Sequence, residues 1–274
     1  MERVFMKVFI VTDLEGVSGC VAGGYGKSAG PLMQEYLSLM MGEINAAVEG
    51  CVQAGAEEII VGEAHQIDLA KLHPEAKLSR GIPWHEAMKL RKYDVALFVG
   101  QHARTDLAGA VRAHTGSSNS IIGFWINDMP AGELAYIGGF LGSLGTPVIF
   151  LAGDTAACRE AEELIKGPVV TVAVEESHNV HGALCLPPAK THGMITEGVK
   201  KAFKVKDKIK PITFKGPVTF KIEFKYSKIA DDFCVVPGVK RVNARTISYT
   251  AETYEKAYMV GVAVLGLVLV RYDS

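Results

Sequence analysis

An excess of charge is the first thing this sequence lacks. In 274 residues, 29 lysines and arginines stand against 30 acids, a formal net charge of -1. Nothing global would attract nucleic acid or an anionic membrane, and neither is expected as a partner. Cysteine is sparse and scattered. Cys20, Cys51, Cys158, Cys185 and Cys234 form no C-x-x-C pair, which excludes a thiolate zinc site and a disulfide framework and suits free thiols in a reducing cytoplasm. Long hydrophobic runs are absent as well. The longest, Met259 to Val270, contains Gly261 and Gly266 and falls well short of the roughly 20 residues that span a bilayer as a helix. It reads as a buried helix or a subunit contact. The short apolar run before Asp13 carries no small-residue cleavage site, so no secretory signal is read and a cytoplasmic location is expected. No internal repeat is visible.

What is present is an ordinary globular balance, 49% hydrophobic and 22% charged, enough to bury a core in one large domain or two packed lobes. Strand-type and helix-type patterns alternate along it. Strands are read at Val8–Thr12, Ile59–Val61, Val95–Val99, Ile121–Ile126, Pro147–Ala152, Val169–Val174, Val218–Phe224 and Thr246–Tyr249. Helical spacing marks Pro31–Ala54, Trp84–Leu90, Gly132–Leu144, Ala156–Ile165 with Asp154 as its N-cap, Pro187–Val205, and a last segment from Glu252. Gly23-Gly24-Tyr25-Gly26 reads as a loop and Asn127-Asp128-Met129-Pro130 as a turn. The alternation predicts an α/β fold: a three-layer, mostly parallel sheet in a flavodoxin-like N-terminal lobe, with a second closely packed α/β lobe. The expected division is a metal-binding lobe at residues 1–157 and a second lobe at 158–274.

Chemistry concentrates where strands end. The first strand runs into Asp13-Leu14-Glu15-Gly16-Val17-Ser18-Gly19. Side chains alternate across extended chain, so Asp13 and Glu15 can share a face while Leu14 enters the core. The second strand leads to Gly62-Glu63-Ala64-His65 and the third to Gly100-Gln101-His102, while Glu133 opens a helix. In open α/β sheets, ligands gather beyond the carboxyl ends of strands. Three carboxylates and two imidazoles from four segments suit a pair of divalent ions, which could generate a hydroxide and hold the charge developing on a carbonyl oxygen. Amide hydrolysis needs both. Any one of these histidines alone would read as structural; the ensemble carries the argument.

The chain also resembles the D-aminopeptidase family of zinc peptidases, described too as dipeptide-transport-associated proteins. The matching stretches are the Asp13–Gly19 segment, Lys71-Leu72-His73-Pro74-Glu75-Ala76, Gly100-Gln101-His102-Ala103-Arg104, Asn127-Asp128-Met129-Pro130-Ala131-Gly132-Glu133-Leu134 and Ala152-Gly153-Asp154. The resemblance implies two zinc ions per subunit on Asp13, Glu15, His65, His102 and Glu133, a catalytic histidine at His114, and a ring-like homo-oligomer, a decamer, enclosing the active sites. Two stretches depart from the pattern. Gly62-Glu63-Ala64-His65 stands where relatives carry Asn-Asp-Ser-His, and Arg112-Ala113-His114-Thr115 replaces a Ser-flanked histidine. His114 is thus open to three readings: nucleophile or general base, donor to a tetrahedral oxyanion, or solvated loop residue.

The function expected is a metal-dependent aminopeptidase releasing the N-terminal residue of short peptides or amino-acid amides, with Asp13 bridging the ions and a D-preference inherited from the family. One rival is a magnesium-dependent phosphatase, suggested by a strand followed by D-x-E; against it, Cys158 stands four residues after Asp154, and His65 and His102 would have no task. The other rival is a non-catalytic peptide-binding protein with structural metals, although structural zinc sites are usually closed. Arg104 meets a substrate carboxylate or forms a salt bridge. His73 is read as fixing a turn, and His85, His178, His181 and His192 are left outside the site.

Overall fold

Strands buried on both faces belong in the middle of a sheet that helices cover on each side, and the apolar runs of this chain form such strands. The computed structural model describes residues 6–21 and 30–272; the loop read at Gly23–Gly26 lies outside them. The first half folds as β1 (Lys7–Thr12), α1 (Gly30–Gln53), β2 (Glu58–Gly62), β3 (Ala76–Ser79), α2 (Trp84–Ala87), β4 (Val95–Gln101), β5 (Ile121–Ile126), β6 (Met129–Pro130) and α3 (Glu133–Ser143). Next come β7 (Val148–Asp154), α4 (Thr155–Leu164), β8 (Val170–Asn179), β9 (Gly182–Cys185) and α5 (Pro188–Val205). The chain closes with β10 (Val218–Phe224), α6 (Ser227–Phe233), β11 (Val239–Arg241), β12 (Thr246–Ala251) and α7 (Tyr254–Tyr272).

Seven strands form the main sheet in the order β3-β2-β1-β4-β7-β8-β9. Every pairing is parallel except the hairpin of β8 with β9. Without the edge strands β3 and β9, the order of chain entry is 2-1-3-4-5, the flavodoxin order. Residues of β4 and β7 are buried throughout, as central parallel strands must be. Helices α1 and α5 pack side by side on one face, while α3 and α4 lie against β4, β7 and β8; right-handed crossovers put these two groups on opposite faces. The order reverses between β1 and β4, which makes their carboxyl ends the switch point where ligands collect.

A second sheet is antiparallel, in the order β11-β12-β10-β5-β6. Its strand β10 alternates buried and half-buried residues as the sequence predicts. The β5–β6 turn places Asn127 (φ 50°) and Asp128 (φ 65°) in the left-handed region, which tight hairpins favour. Against this sheet packs α7, and an aromatic group seals the seam: Tyr136 of α3 stacks on Tyr258 at 4.3 Å and meets Phe220 at 5.7 Å. Each such fully buried side chain stabilises by about 1.5–3 kcal/mol. The expected boundary at 157/158 falls inside α4 and divides the strands of both sheets. The reason is pairing: β8 and β9 extend the first sheet, and β5 and β6 join the second through β10. No helix among the described residues is long and apolar enough to cross a membrane.

Candidate metal centre

The centre is built on a close approach of two loops. Beyond β1, Asp13 N–H donates to the Val99 carbonyl at 2.9 Å and Gly16 N–H to the Gly100 carbonyl at 2.8 Å. A Cβ on Gly16 would lie 2.0 Å from the Gln101 oxygen, and one on Gly100, at φ 77°, would lie 2.1 Å from the Asp13 oxygen. Only glycine allows the exit of β1 to lie on the exit of β4. That contact carries Asp13 to His102 although the two are far apart in sequence. Leu14, fully buried, points into the core as its alternation predicts.

All five expected ligands and His114 come together. Asp13 faces two ways: its Oδ1 lies 3.2 Å from His65 Nε2 and its Oδ2 3.3 Å from His102 Nε2. Glu15 Oε2 is 3.2 Å from His65 Nε2. Glu133 Oε1 is 3.6 Å from His102 Nε2, 3.8 Å from His114 Nε2, and accepts the Gly116 N–H at 2.7 Å. Two triads result, Asp13–Glu15–His65 and His102–His114–Glu133, each with its ligand-capable atoms within 4.8 Å of one another. His102 donates from Nδ1 to the Ala103 carbonyl and His114 from Nδ1 to the Arg112 carbonyl, both at 2.9 Å. Each bond fixes the tautomer that turns a bare Nε2 to the centre. The solvated reading of His114 does not fit, because its side chain is only 14% exposed.

Burial dominates the electrostatics. It pushes Asp13 up to about 7, helped by the charge of Glu15. For Glu15, burial works toward neutrality, but His65, Asp13 and His102 together outweigh it and hold the carboxyl well below its usual range. Glu133 is likewise opposed by burial and held down, at about 2, by His102. The carboxylates drive His65 up to about 10 and His102 well above an ordinary imidazole, against the effect of burial. The three acids thus collect positive charge, which a divalent ion supplies better than protons. Asp13 Oδ2, Glu15 Oε2 and His102 Nε2 are buried yet make no hydrogen bond among the described residues. Buried polar atoms of this kind are paired or coordinate metal. Oxygen and imidazole donors without thiolate fit zinc and its divalent neighbours.

The family model of the D-aminopeptidases matches residues 6–262. The chain belongs to the D-aminopeptidase family. Membership makes it an aminopeptidase, the activity expected from its sequence, and its α/β architecture is likewise shared. It is 33% identical to the D-aminopeptidase of Bacillus subtilis strain 168 over 267 residues, covering 92% of this chain and 94% of that one. The solved Zn-dependent D-aminopeptidase DppA of Bacillus subtilis, described as a self-compartmentalizing protease, superposes with a TM-score of 0.90 at 31% identity, over 98% of this chain and all of that one.

This aminopeptidase holds its site loops by a device the sequence reading passed over. Acids set in the scaffold accept main-chain N–H groups of the loops: Glu43 of α1 from Ser18 at 3.2 Å, Glu175 of β8 from Gly19 at 3.0 Å, Asp154 from Val111 at 3.0 Å, and Glu160 of α4 from Arg104 at 2.9 Å. Asp154 also caps α4 through Ala157 N–H at 2.7 Å, as expected. Glu63, in the departure before His65, accepts Ile67 N–H at 3.0 Å and is clamped by Arg80. The readable signal was an acid within an apolar helical stripe, as Glu43 is between Met40 and Ile44. Arg104 pairs with Asp106 at 2.7 Å, and His73 accepts Glu75 N–H at 3.2 Å, fixing its turn. Beside His65 opens a cleft of about 790 Å³ between α1 and residues 63–71, lined in part by Gln34, Ser38, Asp68 and Lys71.

Proposed function

We propose that the chain is a two-zinc aminopeptidase that releases N-terminal D-residues from short peptides or amino-acid amides. The observation that carries the reading is Asp13, whose two oxygens face different triads, the arrangement a bridging carboxylate requires. Asp13, Glu15, His65, His102 and Glu133 would hold the ions, which when bound would supply Lewis-acid polarisation of the scissile carbonyl and stabilisation of its developing charge. His114 is the acid–base or nucleophilic group. Its Nδ1 proton is committed to the Arg112 carbonyl, so Nε2 is the atom that receives a proton or attacks. Burial, and then positive charge at the His102 position, push its pKa below the usual imidazole value, the direction that favours the proton-accepting form. The cleft beside His65 takes the remainder of the peptide.

Zinc dependence and the D-preference are supported by the solved relative's own description. That relative is self-compartmentalizing, and a ring-like homo-oligomer, a decamer, is proposed here. Exposed Leu267, Leu269 and Val270 on α7 offer apolar contact area for it. Five free cysteines support a cytoplasmic location. The deciding assay is amino-acid release from paired D- and L-alanine amides and short peptides by zinc-loaded protein, with a chelated control. Metal-dependent cleavage of the D series supports the reading to its stereochemistry; cleavage of the L series alone removes the D-preference, and no cleavage of either overturns it.

A further inference from the structure

Arg112 stands between the two triads, and the proposed chemistry does not use its side chain. Its backbone lies at φ 46°, a conformation that a residue with a side chain keeps only when its surroundings impose it. Here they do: Arg112 N–H donates to the Val180 carbonyl at 2.9 Å, and the preceding Val111 N–H donates to Asp154 Oδ2 at 3.0 Å. The turn aims the Arg112 carbonyl at His114 Nδ1. The guanidinium goes the other way, on a side chain that is 9% exposed, with Nη2 3.7 Å from Glu15 Oε1 and Nη1 donating to Cys20 Sγ at 3.5 Å. The two oxygens of Glu15 are thereby divided: Oε1 faces the guanidinium and Oε2 faces His65.

We propose that Arg112 is a positioning residue that keeps Glu15 a one-oxygen ligand, preserving an open position in the centre. The inference rests on the metal reading above. A carboxylate binds a divalent ion through one oxygen or two, and catalytic zinc differs from structural zinc in keeping a position free. A cation facing Oε1 withholds that oxygen from the ion. Releasing it fills the position, so the centre should hold metal at least as tightly while working worse. A merely structural arginine would lose both together.

The test uses Arg112→Gly, which removes the guanidinium but accepts the left-handed turn that anchors His114, with Arg112→Lys as the conservative variant. Zinc affinity is read by chelator competition, coordination by the visible spectrum of Co2+-loaded protein, and turnover on a D-alanyl amide. For R112G the expected result is zinc affinity equal to or above wild type, weaker Co2+ absorption as the coordination number rises, and kcat down by about tenfold or more at near-constant KM. R112K should recover part of the kcat and of the spectrum. Zinc affinity and kcat falling together in R112G would overturn the proposal, as would an unchanged spectrum and kcat. Wild-type protein that takes up neither ion would overturn the metal reading and this inference with it.

Discussion

The imidazoles of His102 and His114 stack face to face, with ring centroids 4.0 Å apart and planes 12° from parallel. Two cations cannot share that geometry in a buried site: burial first, and then positive charge at the His102 position, push His114 below the ordinary imidazole range. One ring is therefore specialised by the other. Replacing His114 with Gln should lower kcat by about 10²–10⁴-fold while zinc content, measured by elemental analysis, stays at wild type. Loss of zinc along with kcat would instead put His114 among the ligands, where its triad with His102 and Glu133 makes it eligible.

His65→Ala and His102→Ala remove the two imidazoles that Asp13 faces. Each should weaken zinc binding by at least about 100-fold and abolish measurable turnover. His102→Ala should also lower the melting temperature of the metal-free protein, because it strips Asp13 and Glu133 of a buried cation. A variant that keeps both zinc and activity would remove its histidine from the ligand set.

Gly16→Ala tests the loop contact. The added Cβ would collide with the Gln101 carbonyl, forcing the β1 and β4 exits apart at a cost of about 2–3 kcal/mol. Lower thermal stability and lower zinc affinity should appear together. A stable, metal-replete Gly16→Ala protein would show that the exits tolerate separation.

Glu43 should give the protein a pH-dependent weakness. Burial pushes it up to about 8, only partly offset by the Ser18 N–H. In the unfolded chain it ionises above the ordinary carboxyl value of 4.5, whereas in the folded chain it keeps its proton until about 8. Its contribution therefore makes the fold progressively less stable as pH rises through that window, by an amount on the order of 5 kcal/mol, and level beyond it. Glu43→Gln retains the acceptor for Ser18 and has no charge to bury. Its melting temperature should exceed wild type at pH 8 and converge on it toward pH 4.5; parallel curves across that range would refute the assignment.

Asp154→Ala removes two main-chain anchors at once, the α4 cap and the Val111 clamp. A loss of about 2–3 kcal/mol is expected from urea denaturation. Turnover should fall beyond what stability explains, since Val111 precedes the Arg112 carbonyl that orients His114.

The residues of the centre were legible because strand periodicity and strand ends are local signals. Asp13 and Glu15 share a face across Leu14, and His65, His102 and Glu133 each follow a strand or open a helix. The short edge strands β3 and β9 escaped notice because half-exposed segments of four residues carry no period. The helix expected at Trp84–Leu90 stops at Ala87. Pairing between β5 and β10 joins segments nearly a hundred residues apart, which composition cannot register. The stacking of His102 on His114 and the left-handed turn at Arg112 are long-range facts of the same kind.

The acids that grip the site loops take hold of the main chain and ignore the side chains. Ala64 and Gln66, exposed on either side of His65 and bordering the cleft, can therefore be exchanged without unseating the histidine between them, since Glu63 secures the turn through Ile67 N–H. With the peptide seated in the cleft as proposed, what the protein cuts is separable from how it cuts. Selectivity can drift through surface exchanges along the cleft while the bond-breaking apparatus stays put, and a library confined to these two positions is a direct way to retune it.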